Sequence, residues 1–140
     1  MKTHTLGFIF DAKLSQVLLM QKERPDWQKG RVNGIGGKIE SGEESISSIV
    51  REVFEETGLQ TKKEEWIYIG EIKSDTYAVD VYTLIYKGEF NDASSTTDEE
   101  VNWFEVNKIP ENAIHNLCWL VPLAIDKIKN SEFRNFSVYY

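Results

Sequence analysis

The chain has 140 residues, of which 41% are hydrophobic and 12% aromatic, and its formal net charge is −7. This length and composition predict one folded domain, residues 1–140, with a sizeable core. The acidic surplus gives no long-range attraction to nucleic acid or to an anionic membrane, so neither is an expected partner. The single cysteine, Cys118, excludes an internal disulfide and fits a cytoplasmic location. The longest apolar runs are too short to span a bilayer, and no secretion signal is expected.

The first predicted elements are two strands. Residues 5–10 and 16–21 are rich in apolar residues and are separated by a turn at 11–13. The following segment, residues 22–43, contains one proline and five glycines, so most of it is predicted to be loop. This glycine-rich loop leads directly into the first predicted helix.

The predicted helix has a start signal, an end signal and two distinct faces. Ser41 and Glu44 have the spacing of a capping box, and Gly58 is a natural left-handed C-cap after Thr57. A stripe of apolar residues at helical spacing should face the core: Ile46, Ile49, Val50 and Val53. Three glutamates at i, i+3 and i+4 should lie on the opposite side: Glu52, Glu55 and Glu56.

The second half of the chain is predicted to be richer in strands than in helices. Strands are expected at residues 66–73, 77–88, 101–106 and 136–140, a polar loop at 91–100, a turn or helix start at 109–110, and a helix at 119–129. This mixed order predicts an α/β or α+β fold in which a mixed β-sheet is sandwiched between α-helices.

The three glutamates predict a hard-metal site. Like charges within one helical turn repel, so a fold that keeps them usually offsets the repulsion with a bound cation or a buried arginine. Carboxylate oxygens suit Mg²⁺ or Mn²⁺. The competing interpretation is an ordinary solvated helix face, which is what most acidic triplets are when they stand alone. The two histidines, His4 and His115, have no partner at metal-ligand spacing and are interpreted as surface or structural residues.

Residues 37–59 resemble the Nudix box, the signature of hydrolases that act on nucleoside diphosphates linked to another moiety. The family pattern is Gly, five residues, Glu, seven residues, then Arg-Glu-aliphatic-x-Glu-Glu-x-Gly-aliphatic. This chain matches it at every fixed position: Gly37, Glu43, Arg51, Glu52, Val53, Glu55, Glu56, Gly58 and Leu59. The resemblance covers only this segment, but the strand, loop and helix predicted around it are what the family requires.

The resemblance implies roles for these residues. Glu55 and Glu56 would be metal ligands, Glu52 a ligand or general base, and the Gly37 carbonyl a further ligand. Arg51 would complete the catalytic group by holding the Glu55 carboxylate, and Glu43 would support the loop. An acidic residue late in the chain often completes the metal site in this family. Asp98, Glu99 and Glu100 are the candidates, with Glu99 or Glu100 preferred.

Residues 30–38 are similar to the Gly-Arg-x-Asn-Gly-x-Gly-Gly-Lys stretch of MutT-like diphosphatases that clear oxidised purine nucleoside triphosphates. The similarity implies that Asn33 contacts the base, that Trp27 lines the pocket and that Lys38 belongs to the substrate site. An Asn amide offers a donor and an acceptor to a purine edge, and an indole offers a stacking surface. The segment that includes Asn116 resembles the late helix of those enzymes, but their paired aspartates are replaced by Asn116 and Leu117.

The sequence therefore predicts a Mg²⁺- or Mn²⁺-dependent pyrophosphohydrolase. Its substrate would be a nucleoside triphosphate, with a purine, either ordinary or oxidised, as the base, and its products a monophosphate and pyrophosphate. Hydrolysis of ADP-ribose, a dinucleoside polyphosphate or a nucleotide sugar is the first alternative. A nucleotide-binding Nudix module without turnover is the second, and an acidic structural protein with an accidental box is the third. The protein would act as a monomer or homodimer on a small molecule.

Overall fold

The computed structural model describes residues 2–140. Eight strands and two α-helices lie in this range, joined by loops that contain three short 3-10 turns. In chain order the elements are β1 (His4–Asp11), β2 (Gln16–Gln21), β3 (Val32–Asn33), β4 (Ile35–Lys38), α1 (Ser45–Thr57), β5 (Ile67–Lys73), β6 (Ala78–Tyr86), β7 (Val101–Glu105), α2 (Leu117–Lys129) and β8 (Phe136–Tyr139). No helix in residues 2–140 has the length and apolarity that a membrane crossing requires.

All eight strands belong to one mixed sheet with β1 at its centre. Strand β1 pairs antiparallel with β2 and β4 and parallel with β6. Strand β5 extends the sheet on one side, antiparallel to β6 and parallel to β8. On the other side β2 pairs with both β3 and β7. The sheet therefore brings β4, which leads into α1, next to the most central strand.

Each face of the sheet has its own apolar core and its own helix. Because side chains alternate along a strand, Phe8 and Phe10 of β1 point to one face and Ile9 to the other. Helix α2 packs on the face of Phe8 and Phe10 through Leu117, Leu120, Val121 and Ala124. Helix α1 packs on the opposite face through Ile49 and Val53. This arrangement confirms the predicted mixed sheet sandwiched between helices.

The apolar stripe and the end of α1 are confirmed, but its predicted start is wrong. Gly58 has φ 77°, and its backbone N–H donates to the Phe54 carbonyl at 2.9 Å. The helix begins at Ser45 with Glu44 as N-cap, and no side chain caps it. Instead, the Ser45 hydroxyl donates to buried Asp80 of β6 at 2.6 Å. A contact across the fold thus replaces the local capping box that Ser41 and Glu44 suggested.

The predicted loop at residues 22–43 contains two short strands. Strand β4 has two glycines among its four residues, so it shows no apolar alternation that sequence could detect. A Cβ atom on Gly36 would lie 2.0 Å from the Thr5 carbonyl oxygen. Only glycine therefore allows β4 to approach β1 this closely.

Candidate active site

The acidic cluster lies where α1 passes the backbone of β4. A Cβ atom on Gly37 would be 2.6 Å from the Glu52 carboxyl carbon and from its Oε1. The two elements are therefore in direct contact at this point, and the Glu52 carboxylate occupies the space that any other residue at position 37 would fill. The loop and the helix of residues 37–59 form one continuous surface in three dimensions.

Glu56 is the most unusual of the three glutamates. Its Oε2 atom is buried and has no hydrogen-bond partner among residues 2–140. Burial and the nearby Glu52 charge raise the pKa of Glu56 to about 8, whereas Lys22 acts in the opposite direction. A buried carboxylate oxygen without a partner is costly, so native proteins rarely leave one without a ligand, ion or water.

Glu55, by contrast, is exposed to solvent, and its carboxylate accepts a hydrogen bond from the Arg51 Nη1 at 3.2 Å. Sequence placed all three glutamates on one face, and the structure separates them: Glu52 lies against Gly37 of β4, Glu56 is buried near Glu52 and Lys22, and Glu55 faces outward. Its part in metal binding stays a prediction.

Arg51 links the loop before α1 to the helix itself. Its guanidinium binds both carboxylate oxygens of Glu43, at 2.8 and 3.0 Å, and the same group donates to Glu52 at 2.9 Å. A further bond at 3.2 Å reaches the Lys38 carbonyl at the end of β4. The hydrogen bonds from Arg51 lower the pKa of Glu43 below its ordinary value. Arg51 thus contacts Glu55 as expected, but its strongest partner is Glu43.

The late acidic residues have different surroundings. Glu99 is 5% exposed and accepts hydrogen bonds from Lys22 Nζ at 3.3 Å and from the backbone N–H groups of Glu23 and Arg24 at 2.7 and 3.2 Å. Its charge also contributes to the raised pKa of Glu56, after the effects of burial, Glu52 and Lys22. Glu99 therefore lies beside the cluster and holds the loop after β2.

The other two candidates are solvent-facing. Asp98 is exposed and paired with Arg24, with one hydrogen bond at 2.5 Å. Glu100 is exposed, and its backbone carbonyl accepts from the Gln21 N–H at 2.7 Å. Neither of these side chains is drawn toward Glu52 or Glu56 by any contact in residues 2–140.

The acidic residues present can accommodate a divalent cation. Residues 2–140 contain no cluster of three or more His, Cys, Asp or Glu side chains arranged to hold a metal by themselves. Mg²⁺, however, usually takes one or two protein carboxylates and completes its shell with substrate phosphates and waters. Glu52, Glu56 and the backbone at Gly37 fit that lower requirement. The buried Oε2 atom of Glu56 has no hydrogen-bond partner among residues 2–140, so a bound cation would satisfy it.

A cavity of about 860 Å³ extends from Gly37 across the sheet on the α2 side. Three of the four residues predicted to bind substrate line it: Trp27, Asn33 and Asn116. The fourth, Lys38, is exposed and does not line it. Apolar side chains of β1, β5 and β6 form its floor, namely Leu6, Ile72 and Val79. The cavity is within the size range of small-molecule sites and has the usual mixture of an apolar surface with a few polar groups.

Sequence reasoning missed several residues of this cavity. Arg31 and Gln28 come from the loop before β3, and Ile114 and His115 from the segment before α2. Tyr77 and Tyr140 line the cavity from the β5–β6 turn and the end of β8. Segments this far apart in sequence meet only through the sheet, so no local pattern could have found them. The two histidines, expected to be surface or structural residues, both line the cavity.

The NUDIX domain family matches residues 2–120 of the chain. The protein belongs to the Nudix family. A curated relative from Danio rerio, named oxidized purine nucleoside triphosphate hydrolase, is 31% identical over 128 residues, which is 87% of this chain and 80% of the relative. This Nudix protein is thus a hydrolase of the family that acts on phosphoanhydride bonds, and Nudix hydrolases generally use divalent metal ions.

Solved structures show the same fold. A MutT from work on the Aliivibrio salmonicida and Vibrio cholerae proteins superposes with a TM-score of 0.69 at 22% identity, covering 89% of this chain and 97% of the other. The NUDIX domain of Shewanella oneidensis NrtR, solved with ADP ribose, gives a TM-score of 0.74 at 15% identity, covering 91% and 88%. At these identities the likeness concerns the Nudix fold alone, and the resemblance seen in residues 37–59 is confirmed as membership of the family.

Proposed function

We propose that this Nudix hydrolase cleaves a purine nucleoside triphosphate to the monophosphate and pyrophosphate with the aid of Mg²⁺ or Mn²⁺. The observation that carries the proposal is a single cavity that joins two kinds of surface. Its lining includes Gly37, which lies against the Glu52 carboxylate, and also Asn33 and Asn116, whose side chains end in amides; the acidic side chains themselves do not line it. A substrate with phosphates at one end and a hydrogen-bonding base at the other matches this division.

In the proposed mechanism the acidic residues have separate tasks. Glu52 and Glu56, with the Gly37 carbonyl, would hold the cation, while Glu55, Glu99 and Glu100 are outer candidates for completing its shell. When bound, the cation would neutralise phosphate charge and lower the pKa of a bound water. Arg51 keeps Glu52 oriented through their 2.9 Å contact. If it is not a ligand, Glu52 would be the general base, since its carboxylate lies against Gly37, which lines the cavity.

The part of the cavity near Asn33 and Asn116, called the base end below, would bind the purine by shape and by a few polar contacts. Trp27 is 67% exposed at the rim of the cavity and offers its indole surface to a planar ring. Asn33 has one amide hydrogen and one carbonyl lone pair left after its bonds to Gln28 and Gly34. Lys38, exposed at the end of β4, would attract the phosphate chain rather than contact the base.

A product analysis tests this function. The purified protein is incubated with GTP, ATP, 8-oxo-dGTP, ADP-ribose, a dinucleoside polyphosphate and a nucleotide sugar, with Mg²⁺, with Mn²⁺ or with EDTA, and products are separated by anion exchange. We expect monophosphate and pyrophosphate from a purine triphosphate, and none with EDTA. Faster turnover of one of the other three substrates would replace the proposed substrate. Tight nucleotide binding without products would identify a binding module instead.

A further inference from the structure

Helix α1 crosses three residues that lie side by side on adjacent strands, called the strand row below: Asp80, Thr5 and Gly37. Thr5 of β1 is paired with Gly37 of β4 on one side and with Asp80 of β6 on the other. The side chains of Thr5 and Asp80 face α1, and these residues are only 3% and 4% exposed. Polar groups buried under a helix are costly unless they are hydrogen-bonded, so the contacts that they make are informative.

The first contact with the strand row is made at the start of the helix. Asp80 Oδ2 accepts a hydrogen bond from the Ser45 hydroxyl at 2.6 Å. Because a serine hydroxyl has one hydrogen, the Tyr82 hydroxyl, 2.9 Å away, must donate to the Ser45 oxygen. The other Asp80 oxygen accepts no hydrogen bond from the described residues, but the Lys2 ammonium lies 2.9 Å from it and compensates its charge. Ser45 is therefore held from two sides.

The same face of α1 makes two more contacts along the strand row. The Ser48 hydroxyl lies 3.3 Å from the Thr5 hydroxyl, and the Glu52 carboxylate lies against Gly37. Ser45, Ser48 and Glu52 are spaced at i, i+3 and i+7, which places them on one helix face. Seven helical residues span about 10.5 Å, and two strand spacings span about 9.6 Å. The contacts of the helix thus have the same spacing as the residues of the strand row.

Apolar packing alone would not fix the helix at this position. Ile49 and Val53 also attach α1 to the sheet, but hydrophobic contact is non-directional and permits a small slide. A hydrogen bond, by contrast, has a narrow range of lengths and angles. Precision is needed at the far end of the strand row, because a Cβ atom on Gly37 would lie only 2.6 Å from the Glu52 carboxyl carbon.

We propose that Asp80 and Thr5 are positioning residues for the reaction. Through their contacts with Ser45 and Ser48 they set where α1 lies along the strand row, and so where the Glu52 carboxylate is placed. The inference rests on the proposed function for the task of Glu52. Within residues 2–140, no residue of α1 lines the cavity that would hold the nucleotide. A displaced helix should therefore lower kcat and leave KM nearly unchanged, a split that a general loss of stability would not produce.

The test removes both hydroxyls from the helix in the double variant Ser45→Ala/Ser48→Ala. A displacement of about 1 Å at a reacting centre costs about a hundredfold, and we expect about half of that displacement. For the nucleotide that the natural protein hydrolyses, kcat should fall about tenfold, and KM should stay within about twofold. A crystal structure of the variant should show the Glu52 carboxyl carbon displaced by about 0.5 Å relative to Gly37.

Two single variants serve as controls. Ser45→Thr keeps the hydroxyl and should retain the natural kcat. Ser47→Ala removes a hydroxyl from the same turn of α1, at a position that points away from the strand row at about 100° per residue, and should also retain it. Urea denaturation checks that the double variant is folded. If it is not, Thr5→Val/Ser48→Ala replaces it, because this pair loses the middle contact from both sides and leaves no hydroxyl unpaired, with the same direction expected for kcat and for Glu52.

Two outcomes overturn the inference. One is a folded variant with the natural kcat, or with a KM that rises as much as kcat falls. The other is a variant crystal structure in which Glu52 has not moved against Gly37. Failure of the proposed function is distinguished by the same two measurements. If the natural protein hydrolyses no nucleotide but Glu52 is displaced in the variant, the proposed function fails and the inference stands. If the natural protein hydrolyses triphosphates and the variant keeps Glu52 in place, the inference fails and the proposed function stands.

Discussion

The acidic end of the site and its amide end differ in how the chain holds them. At the acidic end, Glu52 and Glu56 belong to one helix, and Arg51 of the same helix ties that helix to the preceding loop. At the amide end, Asn33 and Asn116 lie 83 positions apart, and backbone hydrogen bonds from Val32 to the segment before α2 bring them to the same cavity. The residues of the acidic end are charged and close together in sequence, whereas those of the amide end are neutral and far apart in sequence. Under the proposed function, the chemical step would lie where sequence fixes geometry most directly, and base specificity where tertiary contacts can vary.

The largest expected effect comes from removing a charge at the acidic end, which tests whether that end carries the chemical step. Glu56→Gln should lower kcat about a thousandfold, because a metal-assisted step loses several kcal/mol when a ligand charge is lost. The metal-free variant should melt at the same temperature or higher, since the substitution removes a group whose charged form is disfavoured by burial and by the nearby Glu52. Steady-state kinetics and calorimetric melting measure both effects. Glu64→Gln, at an exposed position in the loop before β5, is the control and should leave both unchanged. Normal turnover in Glu56→Gln would remove Glu56 from the metal site.

The second test adds one carbon between strand β4 and helix α1. Gly37→Ala places a Cβ atom within 2.6 Å of the Glu52 carboxyl carbon, so that side chain must move. A displacement of about 1 Å at a reacting centre costs about a hundredfold, and we expect kcat to fall by that amount. Gly88→Ala is a matched control, because its Cβ would lie equally close, at 2.6 Å, to the side chains of Asp92 and Tyr86. If both variants lost activity equally, crowding in general rather than displacement of Glu52 would be responsible.

The third test concerns the arginine that connects the loop to the helix. Arg51→Lys keeps the charge but loses the forked geometry with which Arg51 binds both oxygens of Glu43. We expect a loss of about 2 kcal/mol in the free energy of unfolding, from urea denaturation, and about a tenfold lower kcat. Exposed Arg134→Lys should change neither quantity. Loss of stability with full activity would show that Arg51 serves the fold alone.

The same contrast explains what could be predicted from the sequence. The end of the helix at Thr57, its C-cap at Gly58 and its apolar stripe follow from spacing within one element, and all three are found in the structure. The start of that helix was misjudged because Ser45 binds Asp80, which is 35 positions away. The outward orientation of the Glu55 side chain could not be predicted either, because spacing alone cannot show that β4 packs against only part of the helix face.

The cavity was predictable only in part, for a related reason. Trp27 and Asn33 were found because they lie in a loop whose pattern resembles other enzymes. Residues such as Tyr77 and Tyr140 enter the cavity because β5 and β8 are parallel neighbours at one side of the sheet. Strand pairing of this kind carries no signature in the local sequence. Asn116 was singled out by position, but only the structure reveals that its carbonyl oxygen has no partner.

The smallest expected effect is at Asn33, and it tests whether this part of the amide end contacts the base or supports the loop. Because Gln28 and Gly34 already bind its amide, Asn33→Ala should lower kcat/KM only about threefold to tenfold for the preferred base, and less for other bases. Gln28→Ala releases the same amide without removing it, so its effect measures how much of the loss comes from bracing the loop. An equal loss over all nucleotides in Asn33→Ala, matched by Gln28→Ala, would make Asn33 a loop support and leave base selection to other residues that line the cavity. A larger loss for one base in Asn33→Ala alone would show that the free half of the Asn33 amide contacts that base directly.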